Sequence, residues 1–198
     1  TNGLYQQAHS RLQALKELEE SGEGYQFGVK SVLEQKKAGR LPGIIGTVAQ
    51  LIQVPDHLER AIETVMGAAV QNIVVESDSA AQQAIQYLKQ HQKGRATFLP
   101  LNTVKGKKAA ERLEEPSVLG LAVDLITFDP QYTGVMNHLL GKVWVVKDMA
   151  SAVAIGKKHG FNYRLVTLDG ELLTPGGALT GGNYAKQKGG LLSRQRQI

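Results

Sequence analysis

The residues best suited to metal or acid–base chemistry are five histidines, His9, His57, His91, His138 and His159, and no two stand at metal-ligand spacing. Each falls on a polar helix face or near a helix end in the pattern, where a surface or capping role accounts for it. Carboxylates gather in the first twenty residues and near Glu111–Glu115, as expected of solvated helix faces. A triphosphate cradle needs G-x-x-x-x-G-K-[ST], but Gly181-Gly182 runs into Asn183-Tyr184 with no lysine. No G-x-G-x-x-G follows a strand pattern, and there is no G-x-S-x-G elbow. The sequence has no cysteine, which excludes a thiol nucleophile, a disulfide framework and thiolate metal sites. The expectation is a chain that is not an enzyme, with no catalytic residue, no metal ligand and no cofactor of its own.

One segment stands apart: Gly176-Gly177-Ala178-Leu179-Thr180-Gly181-Gly182. As a phosphate cradle it needs a helix N-terminus behind it and a basic anchor, and neither is evident. That reading leaves an alternative function, a small α/β ligand-binding or enzymatic domain using the Gly-rich loop as an anion site. A plain surface turn is the simplest alternative. The third reading is a strand edge stripped of side chains so that a second backbone can lie against it. Subunit pairing accounts best for so bare an edge, and alanine at the four glycines is expected to give monomers that stay folded.

The elements that position this segment form a repeat. The first unit has a helix from His57 to Met66 opened by Asp56-x-x-Glu59. Gly67 follows, then a strand through Ile73-Val74-Val75 and a helix capped by Asp78. It closes with a stop at Gly94 and a strand from Arg95 to Leu99. The second has a helix from Gln131 to Leu140 opened by Asp129-Pro130. Gly141 follows, then a strand Val143–Val146 and a helix capped by Asp148. It closes with a stop at Gly160 and a strand from Tyr163 to Leu168. The strands are apolar without alternation, as when crossover helices cover both faces. Leu165–Leu168, Asp169-Gly170 and Glu171–Leu173 predict a hairpin with a type I′ turn. The fold class expected is α+β, two pseudo-repeated lobes of helices packed on small sheets.

The 198 residues, 42% hydrophobic and with net charge +5, suit one sizeable domain or two small lobes with a basic patch. Tyr5, Ala8, Leu12 and Leu15 follow the a/d rhythm of a coiled coil. The organisation expected is a coiled-coil arm at 1–27, lobes at 28–115 and 116–184, and a returning arm from 185. No leader or membrane-length apolar run is seen, so the chain reads as a soluble intracellular fragment of something longer.

Gly94-Arg95-Ala96-Thr97-Phe98-Leu99-Pro100-Leu101, Leu168-Asp169-Gly170-Glu171 and the Pro175–Gly182 segment closely resemble the hinge domain of structural maintenance of chromosomes (SMC) proteins. The resemblance extends to Ala61-Ile62-Glu63 through Gly67 and to Ile73–Val75, and the Gln-rich helix Gln82–Gln92 looks bacterial. It implies a homodimer at the tip of a long antiparallel coiled coil, in a protein of chromosome condensation and segregation. The lobes of one hinge meet the opposite lobes of the other, with Gly176, Gly177, Gly181 and Gly182 in the contact. ATP and magnesium belong to heads elsewhere in the parent protein, where accessory subunits are also expected. Location in the cytoplasm with the nucleoid, and weak DNA binding without sequence preference, are implied too. The residues suited to DNA phosphates are Lys36, Lys37, Arg40, Lys105, Lys107, Lys108, Lys186, Lys188, Arg194 and Arg196. No membrane contact is expected.

Overall fold

A computed structural model describes residues 26–182. The coiled-coil seam from Tyr5 to Leu15, the returning arm and Lys186, Lys188, Arg194 and Arg196 lie outside them. Helix α1, Phe27–Lys37, leads into the first repeat: β1 Ile44–Thr47, α2 Val48–Leu51, β2 Ile52–Gln53, α3 Glu59–Met66, β3 Ile73–Val75, α4 Asp78–Gln90 and β4 Phe98–Pro100. The second runs β5 Val118–Leu121, a 3₁₀ turn Ala122–Asp124, β6 Thr127–Phe128, α5 Thr133–Leu140, β7 Val143–Val146, α6 Met149–His159 and β8 Arg164–Thr167. Two short strands then follow, β9 Leu172–Leu173 and β10 Leu179–Thr180.

The repeat holds strand by strand. β1 is antiparallel to β3 and β3 parallel to β4, while β5 is antiparallel to β7 and β7 parallel to β8. Both antiparallel pairs carry a register irregularity ending at a glycine, Gly46 in one and Gly120 in the other. Each parallel pair is bridged by a crossover helix, α4 or α6, as a parallel connection requires. β2 of the first repeat pairs with β6 of the second, and α3 packs against α5. Among the described residues the sheets are therefore β1-β3-β4, β10-β9-β8-β7-β5 and β2-β6.

The unbroken apolar strands are covered on both sides. In β3, Val74 joins a core that runs through both repeats, including Ile62, Met136, Leu140, Trp144 and Leu165. Ile73 and Val75 join a smaller cluster beneath α1 and α4 with Val29, Val32, Ala84 and Leu88. α1 can sit that close because residue 28 is glycine: a Cβ there would come within 2.1 Å of the Arg95 carbonyl oxygen.

Several local expectations need correction. Ser77, not Asp78, caps α4, accepting from the Ala80 N–H at 3.2 Å. Asp78 is engaged by Asn102, whose Nδ2 donates to its carboxylate at 2.8 Å. That helix ends at Gln90 and is closed by Gln92 in the left-handed region (φ 50°), with N–H bonds from Gln92 to Lys89 and from Lys93 to Leu88, so Gly94 is not its stop. α3 is entered through a 3₁₀ turn, Asp56–Leu58, and the reciprocal capping box belongs to Thr47 and Gln50 ahead of α2. Residues 104–116 are irregular rather than helical, so Glu111 and Glu115 do not sit on a helix face. Asp148 and Gly160 cap α6 as expected. No helix among the described residues is long and apolar enough to cross a membrane.

Candidate functional site

The glycine segment finishes the five-stranded sheet. The turn between β8 and β9 has Thr167 N–H bonded to Glu171 O at 2.8 Å and Gly170 N–H to Thr167 O at 3.0 Å. Gly170 alone has positive φ (82°), so this is a three-residue loop with a left-handed glycine rather than the expected type I′ turn. β9 then reverses through Thr174-Pro175-Gly176-Gly177. Pro175 pre-sets the first corner, Gly176 (φ 98°) takes the position that forbids a side chain, and Gly177 N–H closes on Thr174 O at 3.0 Å. Thr174 N–H bonds to Ala178 O at 3.0 Å, and Leu179 and Thr180 pair with Leu173 and Leu172.

This geometry fixes what the edge offers. Because Thr174–Ala178 is a hydrogen-bonded pair, the alternation of an antiparallel ladder turns the Leu179 N–H and C=O away from β9, toward the open side. Leu179 is 55% exposed, Thr180 is exposed, and Gly181 and Gly182 add no side chain. An exposed, apolar, unpaired edge is the feature soluble proteins normally cover or charge. Among the described residues, the first repeat shows a matching gap: β4 ends its sheet, whereas its counterpart β8 carries β9 and β10. Ile73 N–H bonds to Thr97 O and Leu101 N–H to Val75 O, so in this parallel ladder residues 97, 99 and 101 face β3 and Phe98 faces outward. The strand expected at Arg95–Leu99 runs instead over Phe98–Pro100, and its place as a second open edge has no signal in the sequence.

Not every glycine of the segment is there to clear the edge. Gly176 and Gly177 serve the turn, and the Gly176 N–H is held by Phe161 O at 2.9 Å. Gly182 also has positive φ (134°). Alanine at these positions strains the fold itself, so the fourfold replacement is not a clean test of pairing.

The basic candidates are spread over both repeats. Lys36 and Lys37 end α1, and the Lys36 ammonium donates to Ile45 O. Arg40 lies exposed beyond them. Lys105, Lys107 and Lys108 are on the irregular segment that crosses α5, where Lys108 is paired with Asp124 at 2.5 Å. On the same segment, Glu115 lies 2.6 Å from Lys158 and 3.9 Å from His159 Nε2, and Glu111 accepts from the Tyr163 hydroxyl. The Lys158 hydrogen bond and charge, then His159, hold the Glu115 carboxyl below its usual range, while Glu111 raises Tyr163. Among the described residues, no group of three His, Asp or Glu side chains is placed to hold a metal ion.

Residues 41–156 match the family described as "SMC proteins Flexible Hinge Domain". The chromosome partition protein Smc of Desulfitobacterium hafniense is 43% identical over 194 residues, covering 96% of this chain and 16% of that protein. That of Bacillus subtilis is 41% identical over 198 residues, covering 98% and 16%. The chain thus spans 16% of the length of either relative. Among solved structures, an asymmetric dimer of the Geobacillus stearothermophilus SMC hinge domain superposes with a TM-score of 0.84 at 44% identity, covering 99% of this chain and 80% of that one. The Pyrococcus furiosus SMC hinge domain gives 0.67 at 35% identity, covering 91% and 92%.

Proposed function

The chain belongs to the SMC flexible hinge domain family, and from that premise we propose that it joins two copies of itself by edge-to-edge strand addition. β10 of one copy lies along β4 of the other, so that the outward groups of Leu179 meet those of Phe98. A twofold dimer makes this contact twice and leaves no edge to propagate. The observation that carries the reading is the pair of complementary open edges, one exposed at Leu179 and one at β4. In the parent protein this junction links two chains for chromosome partition, and ATP is turned over by heads outside this chain. DNA contact is part of the same reading. Lys37, Arg40, Lys105 and Lys107 touch phosphates without reading bases, together with the basic residues beyond 182. Lys36 and Lys108 contribute less because each already has a partner.

Sedimentation velocity on the 198-residue chain tests the junction. A dimer at micromolar concentration is expected. Leu179→Pro, which deletes the outward N–H and no internal hydrogen bond, is expected to give a folded monomer. Leu179→Lys is expected to weaken pairing by removing the apolar contact. A wild-type monomer, or a Leu179→Pro variant that dimerises unchanged, sinks the proposal. For DNA, a mobility shift at two salt concentrations should show steep loss with salt. Changing Lys186, Lys188, Arg194 and Arg196 to Glu should weaken it further, and unchanged binding returns those charges to ordinary surface.

A further inference from the structure

Helix α1 touches the first repeat at the approach to β4 and again at β1, the opposite edges of one sheet. At its start, Gly28 presses on the residues that lead into β4: a Cβ there would meet the carbonyl carbon and the nitrogen of Arg95 at 2.6 and 2.8 Å. Gly94 answers from the other side. A Cβ on that residue would lie 3.3 Å from the Gly28 nitrogen and 3.4 Å from the Phe27 ring. Gly94, which does not stop α4, thus has its place in this contact, and the Lys93 ammonium lies 5.8 Å from the centre of the same Phe27 ring. At the far end of α1, the Lys36 ammonium donates to Ile45 O on β1.

Between these two points the seat of α1 is small and separate. Val29 and Val32 are buried in the lesser cluster with Ile73, Val75, Ala84 and Leu88, not in the core that runs through both repeats. The edge strand is divided between the two. Leu99 belongs to the main core, whereas Phe98, with Ala96, packs against the cluster that seats α1. Phe98 is also the residue whose backbone groups face outward from β4. Residues 93–97 form no regular element, so packing against α1 is what positions the approach to that edge. A strand that pairs with a second chain must first be ordered, at a cost in conformational entropy. A contact that orders it beforehand leaves less freedom to be lost on pairing.

We propose that the seating of α1 regulates the junction: α1 docked on its own cluster holds Gly94–Phe98 in the form that receives β10 of a second copy. This rests on the reading of β4 as the receiving edge. Coupling of this kind is reciprocal, so pairing at β4 also holds α1 in its seat. The first described helix is therefore a control element for self-association, although the Lys36 contact lies at the other edge of the sheet from the junction.

The test uses the full 198-residue chain in both directions. Hydrogen exchange of the α1 amides from Lys30 to Ala38 is compared between the wild-type dimer and Leu179→Pro. Exchange in the variant should be faster by about fivefold or more. In the other direction, sedimentation gives the dimer dissociation constant of Val32→Ala, which thins the seat, and of Lys36→Ala, an exposed residue whose loss does not threaten the fold. Each should raise the constant by about fivefold or more, while Val135→Ala, equally buried on α5 in the main core, should leave it unchanged. A Leu179→Pro chain that still dimerises removes the junction and the coupling together. With that variant monomeric, the junction stands and the coupling alone is overturned by equal α1 exchange in the two chains. Wild-type dissociation constants for both α1 variants overturn it as well, as does an equal weakening by Val135→Ala.

Discussion

Ile52 faces Phe128 in antiparallel register, and Gln53 faces Thr127. The first residue of one two-residue strand thus meets the last residue of its counterpart in the other repeat. That reciprocity is what an internal twofold produces, and it places the axis between β2 and β6, beside the α3–α5 contact. The repeats are therefore not beads on a string: each lends a helix to a core the other also fills, as Ile62 and Met136 do.

A shared core predicts a single unfolding event. Trp144, the one tryptophan of the sequence, is buried on β7 in the second repeat and reports that half alone. Urea curves followed by its fluorescence and by far-ultraviolet circular dichroism should superimpose at fixed protein concentration. Ile62→Ala, in the first repeat, should cost about 2–5 kcal/mol. It should move both curves together, whereas a tryptophan transition that stays in place would mean the halves unfold separately.

Close approach of α1 to the residues before β4 should be unforgiving. The Arg95 carbonyl blocking a Cβ at Gly28 is backbone and cannot swing aside. Gly28→Ala is expected to destabilise the chain by about 1–3 kcal/mol or more through overpacking. Lys30→Ala, on the same helix, should stay within about 0.5 kcal/mol. Equal melting temperatures for the two variants would contradict the packing of α1 described above.

Much of this was legible because local chemistry and tertiary structure agree. Asp148 is an N-cap by type and position, Gly160 ends α6 in the left-handed region, and apolar runs such as Val143–Val146 are buried on both faces. Asp78 misled because its partner, Asn102, is far away in sequence, which freed the neighbouring Ser77 to take the cap. A pairing as short as β2 with β6 leaves no periodicity to read. The glycine segment was legible as an edge, but the division of labour within it was not, since it depends on Phe161 lying beside the turn. Lys107, Lys142 and Arg164, far apart in the sequence, come to line one cavity only on folding.

Acid should loosen the fold through carboxylates with native partners. Asp148 is held below the ordinary carboxylate range by hydrogen bonds from Ser151, and Asp78 by Asn102. Together with Glu115 they have lowered pKa values in the folded state. Their stabilisation is thus present above the unfolded value and is lost as pH falls through the folded one. Melting temperature should decline between about pH 5 and 3. Asp148→Asn keeps a capping oxygen but does not titrate, so it should flatten that decline while changing neutral-pH stability little. A decline of unchanged steepness would show that this cap does not contribute to it.

Within the glycine segment, folding and pairing should separate by residue. Gly177 has φ 97°, a region that a side chain enters at a cost of about 1–2 kcal/mol, and its Cβ would meet the Phe161 ring at 3.5 Å. Gly177→Ala should therefore lower the melting temperature of the monomer itself. Gly181 is not in the left-handed region, and the atoms nearest to a Cβ there belong to the Glu171 side chain, at 3.3 Å for Oε2 and 3.4 Å for Cγ, which can move away. Gly181→Ala should leave the monomer's stability as it is, yet add bulk beside the edge that β10 offers to a second copy. The expected pattern is a fold defect at Gly177 and a self-association defect at Gly181, read by melting Leu179→Pro backgrounds and by sedimentation of the single variants. If Gly181→Ala sediments as wild type while Gly177→Ala only melts earlier, the segment is a turn and not a junction.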